Sequence, residues 1–183
     1  MDKYYYLVSQ LPFLIFDGKP SINREQFLSE AEKWLSASDM KILLKADMND
    51  FSHESAGLNI LKEYKDFEKY LRGELAKWRK ARKNKGEYKL PADIAGIDKG
   101  TPLDIERKLL FLRWVWIESK EEGHYFDLGF LLMYFIKLQI LERLFTFDAQ
   151  KGKERFVLLC ESALKAIKPV SRAESFFVAS HEQ

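Results

Sequence analysis

The chain has 183 residues, with 30 Lys+Arg against 28 Asp+Glu and a formal net charge of +2. That length suits one domain or two closely packed helical lobes and can bury a sizeable core, while the near balance of charge excludes a global nucleic-acid signature. With 14 Phe, 8 Tyr and 4 Trp, aromatic side chains are expected to dominate the core, with some left for an interface.

The stretch Tyr4 to Phe16 is apolar, but Asp2 precedes it, Pro12 interrupts it and no small-x-small cleavage site follows. It therefore reads as a structural segment and not as a targeting signal. Tyr4, Leu7, Val8 and Leu11 fit one helical face, whereas Tyr4-Tyr5-Tyr6 suits a strand equally well. Asp17-Gly18-Lys19-Pro20-Ser21 is a turn cluster. Asn23 can cap the next helix, with Gln26 returning the hydrogen bond. That helix is expected over 24–35, burying Phe27, Leu28, Ala31, Trp34 and Leu35. A second short helix over 38–46 carries Met40, Leu43 and Leu44.

A long helix is expected over 56–83, because Leu58, Leu61, Tyr64, Phe67, Leu71, Leu75 and Trp78 recur at three- and four-residue spacing. Three glycines and a proline then break the periodicity across 86–100. A loop of that length is usually functional or a hinge, so it is the expected boundary between lobes 1–85 and 101–183 of a single helical domain. Thr101-Pro102-Leu103-Asp104 is the strongest local signal: a cap, a preset first helical residue and a capping box. Its helix is expected over 102–122, ending where Gly123 can take the left-handed conformation.

Residues 123–143, GHYFDLGFLLMYFIKLQILER, form an almost unbroken apolar run ending in Lys137, Gln139, Glu142 and Arg143. The run is too polar for a membrane span and apolar around most of its circumference, so it is expected as a central helix over 127–146. Folding back on the preceding helix pairs residues whose numbers sum to roughly 249, since both helices rise equally per residue. Glu106 then faces Arg143, and Arg107 faces Glu142, two structural ion pairs that would fix the register. Asp148 can cap a last helix over 149–167, which Pro169 ends, and Ser171 to Gln183 reads as a tail. The expected fold is all-α, an antiparallel bundle of long helices.

No chemistry stands out. His53, His124 and His181 are isolated, so no metal ligand set is recognised. Asp47-Met48-Asn49-Asp50 opens like a calcium loop but lacks its glycine and its bidentate glutamate. No phosphate-cradling glycine motif occurs. Cys160, the single cysteine, lies in the apolar run Phe156 to Leu159; it reads as a small buried hydrophobe and fits a reducing cytoplasm. Catalytic, cofactor-binding and metal residues are all expected to be absent. One basic cluster stands out: Lys77, Arg79, Lys80, Arg82, Lys83 and Lys85, followed by Lys89. Its bland reading is a solvated helix end favoured by the helix dipole; its functional reading is an acidic partner surface or anionic lipid. Trp78 alone offers no aromatic ladder for single strands, so nucleic acid ranks last.

Several blocks together resemble a bacterial family of unknown function related to the funnel-shaped component, designated C, of V-type (archaeal-type) ATPases. They are Tyr4 to Pro12, Phe16-Asp17 with Lys19-Pro20, Pro102 to Arg107, Arg113-Trp114, Gly123 to Asp127, and Lys137 to Arg143. The resemblance implies an all-helical, non-catalytic adaptor in the cytoplasm. Its expected partners are the central shaft or rotor ring of a rotary ATPase, and it would meet the inner membrane only through them. The chain is shorter than that three-lobed component, which leaves a reduced version of it, an assembly factor and an independent relative all open. A stand-alone helical scaffold is the alternative function, and an enzyme or nucleic-acid binder comes last.

Overall fold

The computed structural model describes residues 4–48, 58–97, 99–147 and 149–167. Among them are seven α-helices, one short 3-10 helix and no strand. The helices are α1 (Tyr5–Gln10), α2 (Arg24–Trp34), α3 (Ala37–Leu44), α4 (Asn59–Lys83), α5 (Pro102–Glu118), α6 (Leu128–Phe145) and α7 (Ala149–Ile167). The Tyr-rich start is helical: α1 buries Leu7, and Tyr4 before it donates its hydroxyl to Asp39. Burial, reinforced by that carboxylate, pushes the Tyr4 phenol up to about 12.

Local signals set the helix starts. Asn23 and Gln26 form a capping box at α2 (2.8 and 2.9 Å), and Thr101 and Asp104 form another at α5 (3.2 and 2.9 Å). Pro102 occupies the first turn of α5. The end of α5 differs from expectation. It stops at Glu118, and Ser119 to Glu122 close turns instead, because Lys120, Glu121 and Glu122 offer no apolar face to extend the packing. Gly123 does take φ +89°, but within the interhelical turn and not as a helix cap.

The chain divides into two compact units, Met1–Phe145 and Thr146–Gln183. In the first, α6 is the axis: α2, α3, α4 and α5 all pack on it, and it is buried nearly all round. Its polar residues are satisfied in place. Lys137 reaches Glu121 at 2.6 Å and lies over the Trp114 ring at 4.8 Å. Gln139 donates to the Ala46 carbonyl at 2.7 Å and accepts from the Met48 amide at 2.9 Å. The core around α6 is more aliphatic than its composition suggests. Phe27, Tyr64, Trp114, Tyr134 and Phe135 are buried within it, but Tyr5, Tyr6, Phe13 and Trp34 are exposed. Trp34 stacks on Tyr6 at the surface (5.8 Å) and does not enter the core.

Residues 86–100, of which 98 lies outside the described residues, connect α4 to α5. That loop is fastened to the first unit, because Leu90, Ile94 and Ile97 are buried against Leu71, Leu75 and Leu109 in a second apolar cluster. Within the second unit, α7 exposes Phe156, Val157, Leu158, Leu159 and Leu164. Cys160 is likewise exposed, not buried, because the apolar run that carries it is itself uncovered. The expected helix start at Ala56, the calcium-like segment beyond Met48, the Asp148 cap, Pro169 and the tail lie outside the described residues.

Candidate partner-binding surface

The basic cluster occupies the last two turns of α4 and the turn that follows. Lys77, Arg79, Lys80, Arg82, Lys83 and Lys85 are all exposed. The helix ends with hydrogen bonds from Gly86 N to the Ala81 carbonyl (2.9 Å) and from Lys85 N to the Arg82 carbonyl (3.2 Å), a Schellman closure. Lys85 takes the left-handed position, at φ +53°, where glycine is usual.

The 86–100 loop gives this cluster a fixed mount. The Tyr88 hydroxyl donates to Glu74, and the Tyr70 hydroxyl donates to Asp93 at 3.1 Å. Lys108 donates to the carbonyls of Gly96 (2.9 Å) and Lys99 (2.7 Å), tying the loop to α5. Glu74 also holds Lys77 at 2.6 Å. Hydrogen bonds from Lys77 and Tyr88 keep the Glu74 carboxyl below the usual carboxylate range. Between loop and helix lies a concavity of about 650 Å³ bordered by Trp78, Tyr88 and Leu90. Arg82 stacks over Trp78, 5.1 Å from the ring centre, which orients one cation of the cluster.

Of the two expected ion pairs, Glu106 and Arg143 are joined at 3.3 Å. Arg107 and Glu142 are not joined. Arg107 is held by Asp17 at 2.9 Å, and Glu142 accepts from the Arg24 amide at 2.7 Å. The N-terminal turn and the start of α2 flank this end of the hairpin and capture both groups, which a register drawn from two helices alone leaves out.

Sequence reasoning also missed a buried polar network. Glu68, only 1 % exposed, accepts from Arg113 through both oxygens, from Arg72 at 3.2 Å and from the Tyr64 hydroxyl at 3.3 Å. Burial would lower the Arg113 pKa, but the facing carboxylate outweighs it and holds the guanidinium above its ordinary value. Among the described residues no group of three or more His, Cys, Asp or Glu is placed to hold a metal ion. No helix among them is long and apolar enough to cross a membrane.

No curated protein and no solved structure matches this chain. Residues 81–166, a little under half of it, are similar to a family described as protein of unknown function (DUF2764), over a stretch from the last turn of α4 into α7.

Proposed function

We propose that this protein is a non-catalytic helical adaptor whose partner is the cytoplasmic part of a V-type ATPase, at the central shaft or rotor ring. The observation that carries the adaptor reading is the fixed mount of the basic cluster. Exposed cations at the end of a long helix are ordinarily held only by their own flexible stems. Here the loop, two tyrosine hydroxyls and Lys108 hold the supporting backbone in one arrangement. Preorganised charge of this kind favours fast, specific docking to an acidic protein face. The rotary ATPase as partner is supported by the sequence blocks at both ends of the first unit; the matched family has no stated function of its own.

Affinity purification of the tagged protein from its own cells tests the reading. Rotary ATPase components should be enriched, and charge reversal at Lys80, Lys83 and Lys85 should weaken that recovery. The loss should be larger at low than at high salt, because exposed charges are screened beyond about 10 Å at 0.1 M. Purification without ATPase components would leave the stand-alone scaffold as the better reading.

A further inference from the structure

The concavity of about 650 Å³ between the end of α4 and residues 86–96 has a lining of three kinds. Trp78, Tyr88 and Leu90 form an apolar wall, and all three belong to the packing around Leu71, Leu75 and Ile94. That wall is fixed, because the Tyr88 hydroxyl donates to Glu74 and Lys108 ties Gly96 to α5 at 2.9 Å. Gly86 to Leu90 form a second side, in neither helix nor turn. The amides and carbonyls of Glu87, Tyr88, Lys89 and Leu90 enter no hydrogen bond among the described residues. Main-chain groups left open beside a groove can pair with an extended segment laid along it.

The third component is charge. From Lys77 to Lys99 the sequence has eight Lys+Arg against three Asp+Glu, so the surplus does not depend on how any one side chain is placed. Arg82 and Lys89 line the groove, with Glu87 as the carboxylate beside them. Arg82 is oriented by its stacking over Trp78, and a guanidinium held in this way presents a fork that matches a carboxylate. An apolar pocket bordered by one sign of charge suits a partner of the opposite sign that inserts one large side chain as its anchor.

We propose that this groove receives an extended acidic protein segment carrying one large apolar anchor. The anchor lies among Trp78, Tyr88 and Leu90, and the carboxylates on either side of it meet Arg82 and Lys89. A protein segment fits better than a nucleic-acid strand, because the lining offers two rings and no further platform for successive bases. It also fits better than a membrane, since a flat lipid surface meets protruding charges and does not enter a concavity. The inference deepens the adaptor reading and rests on it for the partner being a protein.

The test is fluorescence anisotropy of the full chain at constant ionic strength with two dye-labelled heptapeptides, EDEFEDE and EDESEDE. The first should bind saturably and about tenfold more tightly than the second, the scale on which burying a phenyl ring acts. Arg82→Glu should weaken EDEFEDE about tenfold, while Lys80→Glu, the same change on the same helix but outside the lining, should weaken it no more than about threefold. Circular dichroism checks that each variant is folded, and Lys89→Glu, on the exposed connection, replaces Arg82→Glu if that variant is not. The proposal is overturned by no saturable binding of EDEFEDE, by equal affinity for both peptides, or by equal losses in the Arg82 and Lys80 variants. Tighter binding of a short oligothymidylate or of phosphatidylserine vesicles would overturn it as well. Anchor-dependent peptide binding without rotary ATPase components in the affinity purification keeps the groove and removes that partner; recovered ATPase components without peptide binding do the reverse.

Discussion

At position 68 a carboxylate occupies a place that helix spacing assigns to an apolar side chain. Leu61, Tyr64, Leu71 and Leu75 are buried on the same face of α4, and Glu68 falls between them in the three-four rhythm. It is retained there because Arg113, Arg72 and Tyr64 satisfy it completely. Arg113→Met should therefore cost about 3 kcal/mol in denaturant unfolding, at the lower end of the range for an orphaned buried charge, since Arg72 still reaches Glu68. Adding Glu68→Leu to that variant should recover most of the loss, because an apolar pair of similar volume is often neutral. A second prediction concerns acid. Glu74 and Asp104 are held below the ordinary carboxylate range, Glu74 by Lys77 and Tyr88 and Asp104 by the Thr101 amide and hydroxyl. A depressed folded pKa contributes stability above the unfolded value, and that stability disappears as pH falls through the folded value. Thermal unfolding should show a decline setting in below about pH 4, and Glu74→Gln should make it shallower.

Among the elements, the end of α4 carries a local conflict that can be removed. Lys85 stands in the left-handed position of the Schellman closure while Gly86, one residue later, does not need it. A side chain there costs about 1–2 kcal/mol, partly offset by the extra freedom that glycine gives the unfolded chain. Lys85→Gly should thus stabilise the protein by roughly 0.5–1 kcal/mol in chemical denaturation. Helix starts were legible in the sequence because their determinants lie three residues apart, as at Asn23 with Gln26 and Thr101 with Asp104. The pairing of Glu106 with Arg143 followed from equal helical rise on two adjacent helices. Arg107 with Asp17 was not legible, since its partner comes from a turn distant in the chain. Between α4 and α5, the glycines and the proline obscure three apolar anchors, Leu90, Ile94 and Ile97, whose burial no local spacing announces.

Across the whole molecule, apolar surface is left over after folding. Tyr5, Tyr6, Phe13 and Trp34 are exposed on the first unit, and Phe156, Leu158 and Leu159 are exposed on the second. Scattered exposed apolar residues are ordinary, but several within one helical turn, as on α7, mark a surface that associates. Phe156→Ser combined with Leu159→Ser should leave the thermal midpoint within about 2–4 °C of the parent, because surface substitutions rarely exceed ~0.5 kcal/mol each. Sedimentation velocity should show less concentration-dependent association for this variant than for the parent.

The stacking of Phe27 on Tyr134 and Phe135 has a consequence for biosynthesis. α2 leaves the ribosome early, yet the surface that covers its ring belongs to a helix made most of the chain's length later. At ordinary translation rates the gap is roughly 5–20 s, far longer than the microsecond scale on which helices form. During that interval Phe27 and Ala31 have no native partner on α6, so this apolar face of the nascent N-terminal half is without its final cover. The α5–α6 hairpin, by contrast, can close as soon as α6 itself is made, because its two helices are joined by a short turn. The last-made helix of the first unit is therefore the template on which the earlier ones assemble, and folding of this protein runs against the order of its synthesis.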